Sequence, residues 1–585
     1  MRRAFRLLFL AWFLHLMCGR SVGQAGPFDD PAAPLGQLGR LSEEVRWRAA
    51  VALAAGPAES APAIAEKLKD ADVLVRRYAA FALGRMGKKA KAAVPALVEA
   101  LKDKEAVVRR NAATALGLVG VEAKEAVPAL TALLADPDGN VIFAAVRALG
   151  QMGAEAAPAA AEIERVLRSA KSENLQWAAS YALDGIQGPK PEEQRREKLA
   201  VEGHVLNRLV RMLDGQWQGL HVAADGVCYF AAGGHWKDHG SAFFRYDPRT
   251  RELKMICEDI SPVCGEDITK TPPQGKIHSE IVEKGGWLYF GTHLANYTPE
   301  GIAAYTGAHL LGYQLATGKW RDFGVIHPNY SNYSGIGLDA PRDRLLFYVT
   351  PFGKGGGPHL YWVDIASGKK QDLGLLLAKP EKIDHLPAFH MFVDRRGDCW
   401  FEIRSDLEAL YCARGATGKL ERWERALPPH RDAWDWHGAL PDGDRSLVMA
   451  GEDICLFDST QERDSPAAFF PIQRTGRFHL GAARQGNRVF YTITGTTPDK
   501  RRATRLKSFV LDPTSRPAIV DHGEITDQDG RACHGIWGMD ARDNRIFMIG
   551  RWLVNPGEEK AIGVDRNGTF FTVIFSVADL AADLK

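Results

Sequence analysis

The 585-residue chain is too long for one ordinary hydrophobic core and predicts two or more domains. Its composition, 45% hydrophobic and 25% charged, is that of a folded globular protein. A net charge of +2, with no basic stripe interleaved with aromatics, argues against nucleic acid as the partner.

At the N-terminus, Arg2-Arg3 precede an apolar stretch from Leu7 to Met17, and the small residues Gly19, Ser21, Gly23 and Ala25 follow. This pattern predicts a secretory signal peptide over 1–25 and a linker over 26–40. The expected protein is therefore exported, to the periplasm or beyond. The apolar run is short for a spanning helix, and no later segment is long and apolar enough to be one. Seven cysteines follow the leader, an odd and sparse set that does not make a disulfide scaffold. Cys257 with Cys264 and Cys399 with Cys412 are candidates for oxidation, with isolated buried thiols as the alternative. No Cys-x-x-Cys pair is present to build a zinc ribbon.

Residues 41–187 are rich in alanine and repeat every 33 residues. Leu83-Gly84, Leu116-Gly117 and Leu149-Gly150 keep that spacing, as do Pro95 and Pro128, each in a Val-Pro-Ala-Leu opening. A proline in the first turn starts one helix of each unit, and a glycine stops the other. The stretches VRRYAAFALGRMG from Val75 and VRRNAATALGLVG from Val108 resemble the HEAT-repeat family, of the short kind seen in bilin-lyase-like repeats. That resemblance implies an α-solenoid whose units bury their apolar faces by stacking, and a scaffold rather than chemistry. The recurring Arg76, Arg77, Arg109 and Arg110 read as a solvated face or intra-array ion pairs, with a surface docking a protein or polyanion as the alternative.

Residues 188–207, charged and opened by prolines, read as a linker. Beyond them, over 208–580, β-branched and aromatic residues alternate between turn signals, as in Trp287-Leu288-Tyr289-Phe290. A histidine or tyrosine opens successive units: His221, His278, Tyr333, His390, His437, His479 and His534, spaced by 42 to 57 residues. Repeats of this length with several short strands predict a β-propeller of seven blades. The expected fold is thus multidomain, an α-solenoid followed by an all-β propeller. If the markers begin innermost strands, they gather at one mouth of the central channel.

Hairpin register sharpens that expectation. A turn at Gly285-Gly286 places His278 and His293 across from each other. A turn around Arg396-Gly397 brings Arg404 within one position of His390, and one near Arg542-Asp543 sets Arg551 opposite His534. Tyr330 and Tyr333 join from the third unit, and His235 and His239 from a loop of the first. Trp436 offers a stacking surface for a sugar ring or, equally, a core residue. Imidazoles can serve as bases near neutral pH or hold manganese or zinc, with His221, His278 and His293 as the candidate metal set. Arginines can clamp a carboxylate, and a tyrosine can protonate a leaving oxygen. Base, carboxylate neutraliser and acid are the parts needed for β-elimination at a uronic acid.

Lys276-Ile277-His278-Ser279, Gly291-Thr292-His293 and the tyrosines one unit later resemble the propeller-fold polysaccharide lyases that act on oligogalacturonate or ulvan, over about 60 residues. The resemblance implies His278 or His293 as base, Tyr333 or Tyr330 as acid, and Arg404 or Arg551 as carboxylate clamp. His390, His534 and Trp436 would line the substrate path. The expected function is binding, and cleavage by elimination, of an acidic polysaccharide, with a protein partner on the repeat segment. Two alternatives stay open: a non-catalytic scaffold for protein partners, and a metal-dependent hydrolase or oxidoreductase. A strand-opening histidine can also simply hydrogen-bond a neighbouring blade.

Overall fold

A computed structural model describes residues 43–210, 219–235, 237–295, 297–332, 335–351, 357–374, 387–403, 409–424, 437–450, 452–462, 465–475, 479–496, 502–554, 563–564 and 570–584, with residues 35, 38 and 213. The expected leader over 1–25 lies outside them. The chain forms two compact units, 1–159 and 160–585.

In the first unit the 33-residue period becomes paired helices. Val73–Met86 begins at Asp72, whose carboxylate accepts from the Leu74 amide at 2.8 Å, and it ends at Gly87, with φ +56°. Ala106–Val119 and Gly139–Met152 end in the same way at Gly120 (φ +73°) and Gly153 (φ +61°), because glycine enters the left-handed region without a Cβ clash. Pro95 and Pro128 sit in the first turns of Val94–Ala100 and Val127–Ala132, where no amide is required. Gly84 and Gly117 have a different task. A Cβ on Gly117 would lie 2.7 Å from the Ala148 Cα, and one on Gly84 3.0 Å from the Ala115 Cα, so these glycines let adjacent repeats approach.

The repeating arginines diverge from there. Arg76 pairs with Asp103 at 2.7 Å and Arg109 with Asp136 at 2.8 Å, each bond reaching into the following repeat. Arg77 instead lies over the Tyr78 ring, 5.1 Å from its centroid.

The division between units falls inside the repeat array. Helices Ala160–Ser169 and Glu173–Gln187 group with the sheets. Asn174 donates to Asp458 at 2.8 Å, Tyr181 to Asp453 at 2.9 Å, and Arg516 to Asp184 at 2.6 Å. The last repeat is thereby fastened to the sheet region by buried and half-buried polar bonds.

The sheets follow one another along the chain. The first is built from Leu220–Val222, Cys228–Ala232, Ala242–Asp247 and Glu252–Cys257. The second holds Val282–Lys284, Trp287–Gly291, Gly307–Gln314 and Trp320–Pro328. In the third, Ile336–Asp339 and Tyr330–Ser331 both pair with Arg344–Pro351, then His359–Asp364 and Lys370–Gly374 follow. The fourth runs from Pro387–Val393 to Leu420–Glu424 and the fifth from His437–Ala439 to Phe469–Arg474, four strands each. A ten-stranded sheet and a two-stranded ribbon take the remaining strands. At the centre of that sheet Lys198–Val205, from the segment expected to be a linker, pairs parallel with Val520–Asp527 through residues 198–201 and antiparallel with Phe570–Asp579 through 202–205.

Apolar cores lie between successive sheets, first on second, second on third, third on fourth and fourth on fifth. C-terminal strands close back onto the first sheet, with the Phe230 and Phe575 rings stacked at 4.3 Å. This is a propeller-like arrangement, resolved as five separate sheets of four or five strands plus the ten-stranded one. All seven described cysteines are free thiols. Cys412 pairs with Trp400, one position from Cys399, so the two thiols point to opposite faces and cannot bridge.

Candidate functional site

The predicted Gly285-Gly286 turn forms, both glycines having positive φ, and its hairpin keeps the predicted register, with Val282 across from Tyr289. His278 and His293 lie just outside that hairpin. His293–Leu294 leaves the second sheet and pairs with Gln274–Lys276 in a two-stranded ribbon, where His293 faces Lys276. His278 follows directly, and the two imidazole rings meet with centroids 4.5 Å apart. The expected neighbours are brought together, through a ribbon rather than through the hairpin.

Alternation along Lys276-Ile277-His278 turns Ile277 into the apolar core and sets the two polar residues on the other side. Lys276 is 2% exposed, His278 1% and His293 0%, so these three side chains are buried. The Lys276 ammonium donates to the Tyr297 hydroxyl at 2.9 Å, lies 4.4 Å from the centroid of its ring and also contacts His235 Nε2. Tyr297 is in turn hydrogen-bonded to His293 Nε2, and Ser331 Oγ to Nδ1 of the same ring. With Tyr297 donating to Nε2, the imidazole carries its proton on Nδ1 and gives it to Ser331. His235 and Tyr297 are the partly exposed members, and through them the cluster meets solvent.

Burial holds both histidines well below the usual imidazole range. The neighbouring His293, Lys276 and His235 add to this at His278, and Lys276 and His235 do so at His293. Both rings are therefore neutral at pH 7, which suits a proton acceptor. The backbone frame is close-fitting. Ser279 Oγ accepts from the Gly291 amide at 2.9 Å, and a Cβ on Gly291 would lie 2.4 Å from the Asn332 side chain.

Behind the ribbon lies a second polar group. Gln274 donates to Glu266 at 2.9 Å, and His309 lies between Asp322 (Nδ1 at 3.0 Å) and Glu266 (Nε2 at 3.5 Å). Burial opposes a charge on His309, but the two carboxylates outweigh it and raise the imidazole to about 9.

Other expected site residues go elsewhere. Tyr330 and Ser331 are consecutive on one strand, so they face opposite ways. Ser331 reaches His293, while the Tyr330 ring packs on His327 (4.0 Å) and His359 (5.6 Å). His221 does not join a metal set with His278 and His293. Its Nε2 is 3.1 Å from Glu283 of the second sheet and its Nδ1 is 3.8 Å from Asp540 of the last strands, the inter-sheet role open to a strand-opening histidine. Arg551 is not across from His534. A bulge in Cys533–Arg542 pairs it with Gly535, and its guanidinium lies 4.8 Å from the Trp537 ring centroid. Tyr333, Arg404 and Trp436, and the side chain of His390, lie outside the described residues.

Lys276 and Tyr297 were missed by sequence reasoning. The available signals were the i, i+2 spacing of Lys276 and His278 and the short step from His293 to Tyr297. Nothing local told that Lys276 would be buried.

The helical region is a HEAT-repeat array. The family model for HEAT repeats matches residues 33–117 and 94–184. Solved structures similar to the chain include an engineered protein, 27% identical, with 28% of this chain and 81% of that one covered and a TM-score of 0.23. The complex of CpcE and CpcF of phycocyanin lyase from Nostoc sp. PCC7120 is 27% identical, covering 28% of this chain and 70% of that one, with a TM-score of 0.24. A designed armadillo repeat protein in complex with the peptide (KR)4 is 24% identical over 26% of this chain and 81% of that one, with a TM-score of 0.22. No curated protein matches the chain.

Proposed function

We propose that this is an exported protein whose sheet region binds an acidic, uronate-containing polysaccharide at the Lys276–Tyr297–His293 cluster and cleaves it by β-elimination. The observation that carries the reading is the Tyr297 hydroxyl, held between the Lys276 ammonium at 2.9 Å and the neutral ring of His293. These groups supply the three required functions. Lys276 offsets the substrate carboxylate, so that the adjacent C–H becomes acidic. Tyr297 oxygen takes that proton as its own passes to His293 Nε2, and Ser331 receives the hydrogen bond from Nδ1. As the C–O bond breaks and the C=C bond forms, Tyr297 returns the proton to the leaving glycosidic oxygen, then regains one from His293. Tyr297 thus replaces Tyr330 and Tyr333 as the acid, and Lys276 replaces Arg404 and Arg551 as the clamp.

In the same reading the ten-stranded sheet is two four-stranded blades joined by Lys198–Val205, with the short strand Glu193–Gln194 beside the first of them, which gives seven blades with the five separate sheets. The HEAT-repeat array serves as the docking surface for a protein partner.

The test is ultraviolet absorbance of the unsaturated product across a panel of uronate polymers, with the chain from residue 26 onward. Wild type should generate product, and Tyr297→Phe and His293→Gln should each lose about 100- to 10,000-fold of the rate, the usual worth of a general acid–base group. Product formed equally by the variants would overturn the assigned roles. Silence across the whole panel would overturn the lyase reading and favour the non-catalytic scaffold.

A further inference from the structure

A second cluster, unused by that chemistry, lies where the second and third sheets meet at their edge strands. His327 comes from Trp320–Pro328, the edge strand of the second sheet, His359 from His359–Asp364, and Asp372 from Lys370–Gly374, the edge strand of the third. One ligand atom from each of the three lies within 4.8 Å of the others, and among the described residues no other three His, Cys, Asp or Glu side chains are so placed. The two imidazole rings stack at 4.8 Å with 25° between their planes. His359 Nδ1 is 2.8 Å from Asp372 Oδ2, and the Tyr361 hydroxyl lies 2.6 Å from His327 Nδ1 and 3.2 Å from Asp372 Oδ2.

The geometry points to a binding site for one borderline transition-metal dication, of the zinc and cobalt class, held by His327, His359 and Asp372 and joining the two sheets.

Two imidazoles and one carboxylate are the donor set that such ions select, and three protein ligands leave coordination positions for water on the exposed side of Asp372. Burial and the nearby His359 keep His327 below the usual imidazole range, in the neutral form that ligates. Tyr361 orients one histidine and the carboxylate, as outer-shell groups of metal sites do. An ion pair alone would need only His359 and Asp372. The second imidazole, stacked on the first and within ligand distance of the same point, has no part in that pair.

Chelator-washed full-length protein would be titrated with Zn2+ by calorimetry and with Co2+ by visible absorbance, and its thermal midpoint followed with each metal. One equivalent should bind with a rise in midpoint, and His327→Gln and His359→Gln should each weaken binding by at least about 100-fold. His278→Gln should still bind one equivalent, separating this site from the proposed lyase centre. Asp372→Asn, an exposed and nearly isosteric change, covers the case in which a histidine variant fails to fold, and it too should weaken binding. No metal bound by wild type, or unchanged affinity in the folded variants, overturns the site.

Discussion

Cationic side chains are handled differently in the two regions of the molecule. In the HEAT repeats, Arg76 and Arg109 recur at the 33-residue period, and each meets an aspartate 27 residues later at 2.7–2.8 Å. Those charges are periodic because each repeat must fasten the next, and a stacked array has a charge problem of the same shape at every step. Lys276 belongs to no period. It is buried against His235, Tyr297 and the His293 face of a two-stranded ribbon. Repeated charge in this protein fastens one repeat to the next, whereas Lys276 is a solitary buried group among imidazoles.

That contrast can be broken experimentally. The largest stability effect is expected from Asp103→Ala, which leaves the nearly buried Arg76 without its carboxylate and should cost about 3 kcal/mol. Urea denaturation followed by circular dichroism at 222 nm would show it, and a change within error would mean that the ladder is ornamental. Gly117→Ala should cost about 2 kcal/mol, because the added methyl meets the Ala148 backbone and forces the repeats apart. The same measurement checks it.

In the sheet region the test is pH. His309 is raised from 6.5 to about 9 on folding, so its contribution is complete below 6.5 and disappears as pH rises through 9. His309→Gln should therefore lower the thermal midpoint at pH 6 and leave it nearly unchanged at pH 10. His278 and His293 have the opposite sign. Both are held low, so stability is complete above 6.5 and declines as acid forces protons onto buried rings. A midpoint that failed to fall between pH 7 and pH 5 would show that these rings are not neutral in the folded protein. The smallest effect belongs to Lys91→Ala, which removes an exposed pair with Glu122 and should leave stability within error of wild type.

The helical region was legible because its information is local. Pro95, Pro128 and the glycines ending each long helix act through backbone conformation within a few residues, and period fixes the partner repeat. Strand content and the Gly285-Gly286 turn were legible for the same reason, since pleat and turn act over short range, whereas His278 and His293 meet through a ribbon that the turn does not dictate. What only the tertiary structure decided is which groups complete each site. A one-residue alternation sends Ser331 to His293 and Tyr330 to a different cluster, and a bulge moves Arg551 from His534 to Gly535. The burial of Lys276, the insertion of Lys198–Val205 into the last sheet, and the convergence of His327, His359 and Asp372 from two sheets depend on contacts between segments remote in sequence. A single chain records its periods directly. It carries remote contacts only through the folded packing, where many weak preferences act at once.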